Sequence, residues 1–249
     1  MLLEHKVAVI YGAGGAIGGA VARAFAREGA SVFLAGRTRA KLDTIAGEIR
    51  AHGGVAATAV VDALDEQQVD EYVDAIVGQA GSIDISFNLI SFADVQAPLM
   101  ELAVDDFTRP ITTAMRTQFL TTRAAARHMI PRGSGVILAF GGSGPHTLPG
   151  LGGVKVTFDA IEGLRRQWAC ELGEHGIRVV TLKTGGVPET IPDTVPERDA
   201  IVAGIRQSAL LSWTATLADV GNVAAFVASD QARTMTAADV NISCGAITD

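Results

Sequence analysis

A doubly wound α/β fold is what this sequence predicts, and three observations predict it. Short β-branched runs alternate with longer amphipathic stretches along the whole chain, the pattern of strand–helix–strand units around a parallel sheet. The first run feeds directly into Gly12-Ala13-Gly14-Gly15-Ala16-Ile17-Gly18-Gly19, and an alanine-rich stretch of helical periodicity follows at once. Composition agrees: 48% of the 249 residues are hydrophobic, 5% are aromatic and 28 are glycine. Such a mixture suits buried parallel strands under closely packed helices better than an aromatic-rich binding surface.

The elements follow in order. Lys6–Tyr11, Ser31–Ala35, Val55–Val61, Asp84–Ile90, Val136–Phe140, Arg178–Leu182 and Val240–Ile242 are expected strands, each short, apolar and bounded by Gly, Asp or Ser. Helices are expected near 16–29, 38–51, 65–80, 100–130, 154–174 and 217–229, where the apolar period is helical. One stretch breaks the alternation: Gly185–Pro196 holds three of the eight prolines. Loops that long often cover a site. A domain boundary there would leave only about 50 residues, few for a separate core. The expectation is therefore one domain over 1–249, with a lid or substrate loop at 185–212.

Several function classes are disfavoured. The net charge of −7 and the lack of a basic cluster speak against nucleic acid as a partner. No apolar run approaches the ~18–20 residues of a membrane span, and the N-terminus lacks the pattern of a secretion signal. Cys170 and Cys244 form neither a zinc pattern nor a disulfide framework and are expected as packing residues, so no metal and a cytoplasmic setting are expected.

The glycine turn is the first site candidate. A strand–glycine turn–helix lets backbone approach a pyrophosphate and aims helix N–H groups at it, which selects Gly12, Gly14, Gly15, Ala16, Ile17 and Gly18. The same glycines would also serve a tight turn with no ligand. At the end of the second strand, Ala35-Gly36-Arg37-Thr38-Arg39 offers no acid for a ribose 2′-hydroxyl, and Arg37 is placed to receive a 2′-phosphate instead. NADP(H) is therefore expected before NAD(H). Asp62, after the third strand, can meet an adenine or serve a turn that leads to a helix cap at Asp65.

With these residues in view, the chain resembles the short-chain dehydrogenase/reductase family over roughly residues 4–249. Gly12, Ala16 and Gly18 stand on the positions of the family's Thr-Gly-x-x-x-Gly-x-Gly turn, with Tyr11 for its Thr and Ala16 for its middle Gly. Asn88 keeps the first residue of the family's Asn-Asn-Ala-Gly, and Thr184-Gly185 stands where the family has Pro-Gly. Phe119–Ala125, Glu171–Val179 and Phe226–Asp230 also match family habits. The resemblance implies a Rossmann-type seven-stranded parallel sheet in the order 3-2-1-4-5-6-7 with helices on both faces. It also implies Asn88 and Gly185 beside the cofactor, a small-molecule substrate, and a homo-oligomer, most simply a tetramer.

The resemblance carries a contradiction. The family reduces carbonyls with Asn, Ser, Tyr and Lys acting together, and those positions fall here on Ala114, Gly141, Val154 and Phe158. Only Tyr11 and Tyr72 are tyrosines, and both lie far upstream. A positioned general acid contributes about 10²–10⁴-fold. Val and Phe supply none of it. Lys155 lies one residue from the Tyr position, about 100° around a helix. Ser143, His146 and Lys183 are the substitute proton carriers near the expected nicotinamide, and Ser91 closes the fourth strand. Two functions follow as expectations. One is an atypical site acting on an apolar small molecule, by unusual reduction or by non-redox isomerisation, dehydration or cyclisation. The other is an inactive binding or scaffold protein on the same fold.

Overall fold

Parallel pairing decides the architecture of the protein. The computed structural model describes residues 1–142, 144, 145 and 147–248. Its strands are β1 (Val7–Tyr11), β2 (Ser31–Gly36), β3 (Val55–Val60), β4 (Ile85–Asn88), β5 (Gly135–Gly141), β6 (Ile177–Lys183) and β7 (Ala238–Asn241). They form one sheet in the order β3-β2-β1-β4-β5-β6-β7, every neighbouring pair parallel. This is the order that the family resemblance implies. Each strand lies within about two residues of its expected position.

Among the described residues the helices are α1 (Ala16–Arg27), α2 (Arg39–Ala51), α3 (Glu66–Ala80), α4 (Val104–Met129), α5 (Val154–Leu172), α6 (Arg198–Ser208) and α7 (Leu217–Ala228). Six match expected helices. The seventh, α6, lies inside the segment expected as a loop. Prolines 188, 192 and 196 precede it and mask its start, and only Val202 of its eleven residues is buried, so its apolar period is faint. None of the described helices is long and apolar enough to cross a membrane.

Strand alternation divides the core in two. Ala8 and Ile10 of β1, with Val32 and Leu34 of β2, pack under α1, α2 and α7. Val7, Val9 and Tyr11 point the other way, with Phe33, against α3, α4 and α5. The register brings Tyr11 beside both Ala35 and Asn88, Asn88 beside Ala139, and Gly141 beside Lys183. The C-terminal ends of β1, β4, β5 and β6 are therefore level. Between β1 and β4 the strand order reverses, which is where open α/β sheets form their ligand crevice.

Alternation also settles the place of Tyr11. Its ring is buried and meets Tyr72 of α3 edge-on at 6.3 Å, on the sheet face away from α1. Its hydroxyl has no hydrogen-bond partner among the described residues, and neither has that of Tyr72. Burial above all, with the neighbouring Tyr72 and Asp70 adding to it, raises the pKa of Tyr11; burial raises that of Tyr72. A raised phenol pKa means that the unfolded state releases its proton first. Stability is then fully present below the ordinary tyrosine pKa of ~10 and falls above it, by up to about 1.4 kcal/mol per pH unit for each ring. Absorbance titration should accordingly show no phenolate until the protein unfolds. Phenolate in the folded protein at pH 10–11 would contradict this burial.

Candidate functional site

A cleft of about 900 Å³ opens at the level ends of β1, β4, β5 and β6. Its first wall is the glycine turn. Gly12 adopts a positive φ of 75°, which glycine takes at no steric cost. A side chain on Gly18 would collide with the Gly12 carbonyl and stand 2.8 Å from the Ala13 Cα, so α1 can start this close to the turn only without one. The N–H of Gly15 is used by the Gly12 carbonyl at 3.0 Å, and that of Gly19 by the Gly15 carbonyl at 2.8 Å. The amides of Ala16, Ile17 and Gly18 lie too near the helix start to find intrahelical acceptors. Gly15 brings no capping side chain, and the first turn of α1 carries no acid. Amide donors at a positive helix end suit a pyrophosphate. The methyl group of Ala16 adds no charge.

Gly12, Gly15, Ala16, Ile17, Gly18, Asn88 and Gly185 all line this cleft; Gly14, Arg37 and Asp62 do not. Asn88 is buried, donates to the Thr121 hydroxyl of α4 at 3.1 Å, and accepts the Ile90 N–H at 3.1 Å. It ties the end of β4 to α4 and shapes the floor. Gly185 is required for packing, since a Cβ there would lie 2.5 Å from that of Ala246. Asp62 accepts the Leu64 N–H at 3.0 Å, and its own N–H reaches the Gln68 side chain. Asp65 caps α3 as expected, and its pKa is lowered chiefly by the Gln68 backbone N–H it accepts.

Arg37 is exposed, with no ion pair or hydrogen bond among the described residues. Arg39, two residues on, is instead occupied by Thr58 and Asp43. The structure adds Lys41, which sequence pattern alone did not single out. A Cβ on Gly14 would meet the Lys41 Cβ at 3.1 Å, so this lysine stem lies against the glycine turn. One turn of helix brings it there, and no local motif marks it.

The opposite wall is hydrocarbon. Cβ atoms built on Gly141 and Gly142 would lie 3.8 and 3.1 Å from the Phe158 ring, which therefore covers the end of β5. Phe158 in turn meets Phe92 edge-on at 6.0 Å. Val154 is 7% exposed and lines the cleft, while Ala114 is wholly buried beside Ala139 and Ile161. Ser91 lines the cleft too. The tail residues Ala246, Ile247 and Thr248 also line it, and no motif in their sequence signals that role.

The substitute proton carriers fare differently. Ser143 and His146 lie outside the described residues. Lys183 alternates with Val179 and Thr181 toward α5, is 4% exposed, and forms an ion pair with Asp239. It lines a second pocket with Asp159, Glu162 and Arg166, not the main cleft. Lys155 does line the main cleft, paired with Asp159 one turn along α5. Of the cysteines expected as packing residues, Cys244 is half-buried but Cys170 is exposed, because it sits on the outer side of α5. No His, Cys, Asp or Glu group among the described residues could hold a metal ion.

Sheet order and crevice together define a protein of Rossmann-type fold. Comparison with known proteins sharpens that. A family model described as "Enoyl-(Acyl carrier protein) reductase" matches residues 12–246. Gluconate 5-dehydrogenase of Gluconobacter oxydans (strain 621H) is 36% identical over 186 residues, covering 74% of this chain and 72% of that one. A short-chain type dehydrogenase/reductase from Mycobacterium marinum superposes with a TM-score of 0.87 at 28% identity, over 99% of this chain and 97% of the other. An NAD+-bound xylitol dehydrogenase superposes with a TM-score of 0.89 at 25% identity, over 98% and 100%. The chain belongs to the short-chain dehydrogenase/reductase family of oxidoreductases, whose members bind nicotinamide cofactors and small-molecule substrates and often form oligomers.

Gly18→Ala tests the geometry of the turn. The new methyl group must push backbone apart, and overpacking of this kind typically costs about 1–3 kcal/mol. Urea unfolding should show a loss of that size. A neutral result would mean that the turn and α1 are further apart than described.

Proposed function

We propose that this protein is an NADP(H)-binding family member whose cleft works without the family's usual Asn, Ser, Tyr and Lys. One observation carries the reading: at the four positions of the family's usual groups, Gly141, Val154, Phe158 and buried Ala114 bring neither a proton nor a charge. When bound, the nicotinamide supplies or takes up a hydride. The chain's part is to hold the phosphates at the amides of Ala16, Ile17 and Gly18 and to exclude water with the Phe158 wall. Asp62 keeps one carboxylate oxygen for an adenine amino group while the other serves its turn.

Arg37 and Lys41 support the NADP(H) preference, since both cations stand by the first crossover with no partner among the described residues. The xylitol dehydrogenase neighbour is described with NAD+, so the proposed preference differs from that neighbour's cofactor. Hydrogen bonds to charged groups contribute about 1.5–3 kcal/mol, or roughly tenfold and more in affinity. Calorimetric titration should find NADPH tighter than NADH by about that factor, with Arg37→Ala erasing the difference. Equal wild-type affinities would remove Arg37 from a phosphate role. Binding of neither cofactor would leave a scaffold as the reading.

The substrate is an apolar small molecule. It is held under residues 185–212, of which Gly185, Gly186, Thr190 and Ser208 line the cleft. The reaction is an unusual reduction, with a proton from the substrate, water, Ser143 or His146, or a non-redox isomerisation, dehydration or cyclisation. The chain acts as one domain and self-associates, with a tetramer the simplest assembly.

Restoring the usual groups tests this reading of the wall. Wild type should reduce simple ketones negligibly with NADPH. The triple substitution Gly141→Ser, Val154→Tyr, Phe158→Lys should add measurable turnover, since residues four apart share a helix face and the groups act as a unit. Room is tight, as a Cβ on Gly141 would stand 3.3 Å from the Thr181 methyl, but removing the Phe158 ring opens the other side. Robust wild-type turnover would place the proton donor elsewhere, and Ala substitutions at Ser143 and His146 would find it.

A further inference from the structure

The described lining of the cleft contains one cation, Lys155, and one carboxylate, Asp94. Asp94 sits on the loop after β4 and accepts the Gln96 side-chain amide at 3.2 Å. Lys155 stands on the hydrocarbon wall itself, between Val154 and Phe158 in sequence and near Leu151 in the lining. Its side chain is 20% exposed, and its ammonium donates to both oxygens of Asp159, at 2.6 and 2.7 Å. The wall is apolar except at this point.

Donor arithmetic says what this lysine can take. An ammonium has three N–H donors and accepts nothing. Two of them are engaged by Asp159, and the third has no acceptor among the described residues. Asp159 also offsets the positive charge locally, beside an apolar wall. An arriving carboxylate would meet the Asp159 charge at close range, and the described lining holds no second cation to repay its desolvation. A neutral carbonyl or hydroxyl oxygen could accept the third N–H without displacing Asp159. Beyond that oxygen, Leu148, Leu151, Val154 and Phe158 offer only hydrocarbon.

We propose that Lys155, held by Asp159, orients an apolar ligand by hydrogen-bonding one neutral oxygen, and that the Lys155–Asp159 pair selects against carboxylates. The inference rests on reading the cleft as the substrate site and deepens that reading. It differs from a shifted family lysine, because the partner is a ligand oxygen and the carboxylate beside it sets the selectivity. Asp159 is a positioning residue: it acts through Lys155.

The test uses 2-octanone and octanoate, which match in chain length and differ in charge, titrated against the full chain by ligand-observed NMR. Wild type should bind 2-octanone at least about tenfold more tightly than octanoate. Lys155→Met, which keeps the stem and removes the donors, should weaken 2-octanone by about tenfold. Asp159→Asn, which keeps the shape and removes the charge, should tighten octanoate and collapse the preference. Unchanged ketone binding in Lys155→Met overturns the proposal. So does an unchanged ketone-to-acid ratio in Asp159→Asn, or wild-type binding of neither probe. NADPH titration of the same samples separates the two readings. Failure to bind NADPH with the ketone preference intact strikes the cofactor assignment alone, whereas NADPH binding without that preference strikes this one.

Discussion

Two missing side chains hold the site together. Gly12 is pressed against the Leu89 carbonyl at the end of β4, and Gly18 against the carbonyl of Gly12. Neither contact has room for a methyl group. Through them the first turn, the first helix and the fourth strand approach to backbone distance at the place where the sheet reverses its order. The crevice, the amides free of acceptors and the level strand ends all follow from that approach. Ala16 shows where the constraint stops. The family's middle glycine is replaced there, yet α1 still begins at that residue, in contact with the cleft.

A second constraint is the two-residue period of the strands, which assigns neighbouring residues to different chemistry. Tyr11 follows Ile10 in sequence but belongs to the opposite core, so the bulky ring that replaces the family's threonine lies on the sheet face away from α1. Lys183 is governed by the same rule. It stands next to Thr184, which lines the cleft, yet it turns to α5 and pairs with Asp239 in a different pocket. Proximity in sequence to a cofactor motif is a poor guide at strand ends.

The fold was legible because periodicity is local and repeats: seven apolar runs and six amphipathic stretches each carry their own signal. Helix α6 was not, since prolines stand at its entrance and one residue anchors it. The glycine turn was legible for the same reason that the fold was, as a motif at a fixed place in a strand–helix unit. Lys41 and the tail residues 246–248 were not. Each depends on tertiary approach: a helix laid against a turn, a tail folded beside Gly185. The resemblance puts Gly141, Val154 and Phe158 where the family has its reactive groups, but only the structure shows that the Phe158 ring covers the end of β5.

That ring has a consequence for water. A surface of Phe158, Phe92 and Val154 against two glycines gives a solvent molecule few groups to bond. Water needs about two to four polar partners to stay in such a recess. The wall therefore sheds its hydration readily, and a hydrocarbon that settles there removes little bound solvent. Its binding should carry a negative heat-capacity change, with the enthalpic character typical of poorly hydrated apolar pockets.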